Sequence, residues 1–190
     1  MCNKYGYNSP LHRMIEKFRQ VDLPFDPPAL PNIPALEEIN PTDPAPIVRR
    51  AGEDVELTRM RWGFPPPRPR AGPVINFRSE GRAFASGRCL IPATHFFEFT
   101  GARYPKTRWR FTMPGEEFFC IAGLCRGAGE AARFTMLTIP PGPDVAPYHD
   151  RQIVPLAPGD WKAWLDPFTP SSELLIAGAA GTLAVEKVRG

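Results

Sequence analysis

The sequence predicts an α+β fold: a single domain, residues 1–190, built on a curved, mainly antiparallel β-sheet or partly open barrel with peripheral helices. Three observations carry this. Short apolar runs recur along the chain, each bounded by Gly, Pro or a polar turn, as strands are. Helical periodicity is confined to a few brief segments. The 190 residues are 43% apolar, which suffices for one core and no more.

In chain order, Ser9-Pro10 opens a helix whose apolar face is Leu11, Met14, Ile15 and Phe18, with Ser9 as its N-cap. Residues 21–54 read as a long loop. Of the 25 prolines, 12 fall between Pro24 and Pro69, and proline fixes φ and donates no hydrogen bond. Strand-like runs follow at Val55–Met60, Val74–Arg78, Arg88–Ile91, Thr94–Phe99, Arg108–Met113, Phe118–Cys125 and Phe134–Ile139. Asp160–Leu165 and Ser171–Ile176 read as short helices, and Leu183–Val188 as a closing strand.

No apolar run approaches the ~20 residues that span a bilayer, and the start, MCNKYGYNSP, has no apolar signal core. The expectation is a cytoplasmic monomer away from membranes. Cys2, Cys89, Cys120 and Cys125 form no CxxC pair, and His12, His95 and His149 are dispersed, so neither a metal nor another cofactor is expected. Charge is uneven. Residues 59–110 hold 11 Lys and Arg against 2 acidic residues, while each flank is net acidic. A basic segment of this kind fits an anionic partner such as nucleic acid, or a solvated face balanced by the acidic flanks.

Four residues could carry chemistry. Cys2, once Met1 is removed, is an amine of pKa ~8 beside a thiol of pKa ~8.5, and the two together can trap an aldehyde or serve acyl transfer. Glu98 stands among aromatics in Thr94-His95-Phe96-Phe97-Glu98-Phe99, where desolvation would raise its pKa and suit it to acid/base work. The alternative is simple alternation, with Glu98 in water and Phe97 and Phe99 inside. Asn76 and Arg78 share one face of their strand and could orient a substrate and hold a phosphate. His149, in Tyr148-His149-Asp150-Arg151, titrates near neutrality. Trp62-Gly63-Phe64 ahead of Pro65–Arg70 interleaves aromatics and cations, either as a stacking platform for bases or as core.

Taken together, these segments resemble the SOS-response-associated peptidase family, or abasic-site processing proteins. The matching pieces are Met1-Cys2, Arg61-Trp62-Gly63, Asn76-Phe77-Arg78-Ser79-Glu80, Arg88-Cys89-Leu90-Ile91-Pro92-Ala93 leading into Phe97-Glu98-Phe99, and His149-Asp150-Arg151, with Asn40-Pro41 a remnant of a further loop. The resemblance implies binding of single-stranded DNA at an abasic site, whose sugar opens to an aldehyde, and its covalent capture by Cys2 as a thiazolidine. It makes Cys2 the nucleophile, Asn76 an orienting group, Glu98 the acid/base and His149 an aid to sugar ring opening. Lys4, Trp62, Arg78 and Arg151 form the implied DNA contacts. It also implies self-cleavage of the leading residue. The start reads Cys2-Asn3-Lys4 where the family has Cys-Gly-Arg, so Lys4 lacks the bidentate fork of Arg. Two other function classes use the same residues: an N-terminal-nucleophile amidohydrolase or protease, and a non-catalytic single-strand binder.

Overall fold

Most strands of this chain are too short to bury a face alone, so they must share one. The computed structural model describes residues 2–25 and 34–189, and in it two sheets enclose one continuous apolar core. The first sheet is wholly antiparallel. It comprises β1 (Tyr5–Tyr7), β2 (Leu36–Ile39), β7 (His95–Thr100), β8 (Thr107–Thr112) and β13 (Ala184–Arg189), in the order β13-β8-β7-β1-β2.

The second sheet contains β3 (Pro44–Ala51), β4 (Asp54–Trp62), β5 (Asn76–Arg78), β6 (Arg88–Ala93), β9 (Phe119–Arg126) and β10 (Arg133–Ile139), with the short β11 (Gln152–Ile153) and β12 (Pro155–Leu156) at its margins. β10 pairs antiparallel with β9 and parallel with both β4 and β5, so β10-β4-β3-β6-β9 closes into a ring. The α+β class with a partly open barrel is therefore correct. β6 is buried throughout and β9 nearly so, and this is why their sequences run apolar without alternating.

The expected loop at 21–54 contains two strands. β2 and β3 lie in it, while its residues 26–33 fall outside the described ones. Proline is tolerated in β3 for a specific reason. Pairing with β6 begins only at Val48 and Arg49, so Pro44 and Pro46 occupy the half of β3 bonded on one side, to β4.

Helix α1 (Leu11–Gln20) buries Met14 and Phe18, and the Phe18 ring packs 4.6 Å from Trp161 at the head of α2 (Trp161–Leu165). Ser9 is not its N-cap. Pro10 takes the cap position in extended conformation, leaving Ser9 one residue too far out, and the Ser9 hydroxyl donates instead to Glu117 (2.6 Å). The expected helix at 171–176 is one 3₁₀ turn, Ser171–Glu173. Among the described residues no helix is long and apolar enough to cross a membrane.

Part of the basic segment is structural. Arg88 is buried and donates to the carbonyls of Phe84 (2.6 Å), Trp164 (3.3 Å), Asp166 (2.9 Å) and Thr169 (2.8 Å), tying the 3₁₀ and α2 region to the ring.

Candidate functional site

β1 lies between β2 and β7, with Tyr5 opposite Phe96 and Gly6 opposite His95, and the Phe97 amide donates to the Lys4 carbonyl (3.0 Å). Only glycine fits at position 6, since a Cβ there would stand 2.4 Å from the Glu37 carbonyl oxygen and 2.5 Å from the His95 ring. That fit holds Cys2 fixed between the sheets.

Cys2 is 1% exposed, and burial pushes its thiol up to about 12, with the Glu98 charge adding to the rise. Its Sγ donates to the Lys4 carbonyl (3.4 Å). Asn76 Nδ2 donates to the Cys2 carbonyl (2.7 Å), while Asn76 Oδ1, also buried, has no hydrogen-bond partner among the described residues. β5 carries Asn76 there through parallel pairing with Met136 of β10.

Glu98 shares a strand face with Phe96, opposite Trp109 and Phe111 of β8. It is 2% exposed, so the reading that placed it in water is wrong; Phe97, on the other face, lies under the Arg108 guanidinium at 3.5 Å. Burial lifts Glu98 to about 7, against a hydrogen bond from the Cys2 backbone N–H that favours the charged form. Cys2, Asn76 and Glu98 thus meet: carboxylate on the Cys2 nitrogen, amide on its carbonyl.

His149 sits on the loop after β10, next to Tyr148, whose ring packs on Trp109 (4.7 Å) and Phe111 (5.4 Å) and so covers the Glu98 face of the sheet. The Arg151 amide hydrogen points at His149 Nδ1 (3.0 Å), a contact that suits a ring nitrogen without a proton. Asp150 Oδ1 lies 2.8 Å from the same Nδ1, an ion pair only if the ring is charged, and burial holds the imidazole below its ordinary pKa.

The expected DNA contacts separate. Arg78 is exposed, two residues from Asn76. Lys4 is half-buried and donates to Glu38 (2.7 Å), which also accepts Arg108 (2.5 Å). Trp62 and Arg151 are corrected. Trp62 is fully buried, stacked along Phe134 and edge-on to Tyr5, so no base can reach its face. Its indole donates to the Ile75 carbonyl (2.9 Å), which fixes the backbone just ahead of Asn76. Arg151 is 8% exposed, with its guanidinium on both Glu80 oxygens and on Thr138, and this pairing holds Glu80 down at about 2. It braces the His149 loop against the ring.

Glu80, Asp150 and the Tyr148–Trp109 contact were not singled out from the sequence as parts of the site. Glu80 had a signal, since it closes the Asn76–Glu80 segment.

We expect Trp62→Ala to cost about 3–5 kcal/mol, the usual loss for a buried aromatic. The urea midpoint should fall accordingly, and because the indole holds the Ile75 carbonyl just ahead of Asn76, adduct formation should slow as well in conditions where the variant is folded.

Residues 1–189 match the family described as SOS response associated peptidase (SRAP). The chain belongs to the SRAP family. Two Bacillus subtilis relatives of this SRAP protein are named abasic site processing proteins. YobE is 27% identical over 186 residues, covering 88% of this chain and 83% of YobE. YoaM is 29% identical over 142 residues, covering 65% of this chain and 63% of YoaM. Among solved structures, a protein from Bordetella bronchiseptica superposes with a TM-score of 0.74 at 24% identity, with both chains fully covered. One from Bacteroides thetaiotaomicron gives 0.73 at 16% identity, over all of this chain and 93% of that one. These neighbours share the SRAP fold.

Proposed function

We propose that this protein processes abasic sites in single-stranded DNA by covalent capture through Cys2 once Met1 is gone. The observation that carries the reading is the placement of one buried carboxylate, Glu98, against the Cys2 nitrogen while Asn76 holds the Cys2 carbonyl. The family membership and the names of YobE and YoaM support it.

The chemistry balances with these groups alone. The freed Cys2 amine adds to the aldehyde carbon of the ring-opened sugar and water leaves, giving an imine. Glu98, which titrates near neutrality, takes the proton of the Cys2 thiol. Sulfur then bonds to the imine carbon, the former C=N pair moves to nitrogen, and nitrogen gains the proton. The net loss is one water. His149, whose imidazole burial holds below its ordinary pKa, exchanges a proton with the sugar hydroxyl during ring opening. Arg78 takes a flanking phosphate; Lys4 does so in competition with Glu38. Glu98 in its acid form also suits release of Met1, by protonating the Cys2 nitrogen as water hydrolyses the preceding peptide bond.

The test is incubation of the protein with a labelled single strand bearing one abasic site, followed by a denaturing gel and intact mass. The expected product is a retarded band with the combined mass less one water, on protein that lacks Met1. A salt-sensitive complex that ignores the abasic site and leaves no covalent product overturns the proposal.

A further inference from the structure

Past Glu98, β7 and β8 run on as a hairpin. Glu98 stands opposite Trp109, and Thr100 stands opposite Thr107 in the last pair of the ladder. Side chains alternate along a strand and cross-strand partners share a face, so Thr100, Thr107 and Trp109 continue the face on which Glu98 meets Cys2. Burial falls steadily along that face. Phe96 and Phe111 are fully buried and Glu98 nearly so, Trp109, Thr100 and Thr107 are half-buried, and residues 101–106 are all exposed. The site therefore opens toward the hairpin tip. The Trp109 indole donates to Thr100 Oγ1 (2.8 Å) and its ring packs on Tyr148, so the hairpin and the His149 loop border the same opening.

The tip reads Gly101-Ala102-Arg103-Tyr104-Pro105-Lys106, one aromatic ring between two cations with no acidic residue. Tyr104 is 87% exposed. Glu38 holds Lys4 and Arg108, and Glu80 holds Arg151, whereas among the described residues no carboxylate pairs with Arg103 or Lys106. The Lys106 charge is near enough to act on the His149 imidazole. From Glu98 to Thr100 the strand advances about 7 Å, which equals two rises of a stacked nucleic-acid strand at ~3.4 Å each. The tip is thus placed for the nucleotides beside the lesion and not for the lesion itself.

We propose that Tyr104 stacks on a base flanking the abasic site, with Arg103 and Lys106 on the adjoining phosphates. An abasic position leaves its neighbours without a stacking partner on one side, and an exposed phenol ring at the opening supplies one. Every base has a π-face, so the ring accepts any sequence while the cations follow the backbone. The inference rests on the proposed reaction at Cys2 for its substrate, and it adds how the strand is held before capture. Tyr104 touches no reacting atom; it is a positioning residue.

The experiment measures reversible binding of the folded protein to labelled single strands whose abasic site has been reduced to the alcohol, so that no adduct can form. Tyr104→Ala should weaken binding about tenfold, and Tyr104→Phe should bind as the wild type does. On a strand with tetrahydrofuran residues, which carry no base, on both sides of the site, wild type and Tyr104→Ala should bind equally. Arg103→Gln combined with Lys106→Gln should weaken both strands alike and lower the slope of log Kd against log salt by about 1.4, two phosphates at ~0.7 each. A Tyr104→Ala protein that binds the base-flanked strand as tightly as wild type overturns the proposal, and so does a loss of equal size on the strand without flanking bases. The unreduced strand keeps the two readings apart, because it reports capture by Cys2 and its failure leaves the binding comparison intact.

Discussion

Cys2→Ser is expected to abolish the denaturation-stable adduct with abasic DNA while leaving fold and reversible DNA binding in place. The substitution is small. The sulfur makes one long hydrogen bond, to the Lys4 carbonyl at 3.4 Å, and a hydroxyl can keep it. What is lost is the second half of the trap. The amine still forms an imine, but a neutral hydroxyl lacks the nucleophilicity of sulfur, so the ring does not close and the imine hydrolyses in the gel. Borohydride should therefore restore a stable band for Cys2→Ser, because it reduces the imine directly. The wild type needs no reductant. A stable band from Cys2→Ser without borohydride refutes the assignment of sulfur.

Glu98→Gln should slow adduct formation by roughly 10²–10⁴-fold, the range of a positioned acid/base. The wild-type rate should fall as pH drops below about 7, where Glu98 takes its proton, and the variant should lose that inflection. Stability should move the other way. The Glu98 value is about 7 in the fold against an ordinary 4.5, so between those values the native state binds more protons than the unfolded chain. Stability is then fully present below 4.5 and declines as pH rises through 7, by about 3 kcal/mol at most. Thermal unfolding at pH 5 and pH 8 reads this directly. The variant should be nearly flat between the two, and the more stable protein at pH 8. A buried carboxylate with this cost to the fold is what the proposed acid/base role of Glu98 requires.

How far the sequence carried can be judged residue by residue. The seven runs from Val55 to Ile139 form strands with small shifts at their ends, because turn residues bound them and local chemistry sets the limits. β2 and β3 were missed since proline content argues against strands on average, and only the pairing of neighbours shows which half of β3 lacks a second partner. Glu98 was recognisable because Phe96 had to share its face. The burial of Trp62 and Arg151 was not, since a tryptophan or arginine beside a motif reads alike whether it meets DNA or braces the fold. The partner that decides, Phe134 or Glu80, is distant in sequence.

The position of β1 in the middle of its sheet bears on how the molecule comes into being. The leading residues leave the ribosome first, yet Tyr5 waits for Phe96 and Cys2 for Asn76 before either has a place. Through that interval the start of the nascent chain is open to any aminopeptidase. After β7 docks Cys2 is buried, so on the proposed route an outside enzyme that removes Met1 has to act before that step.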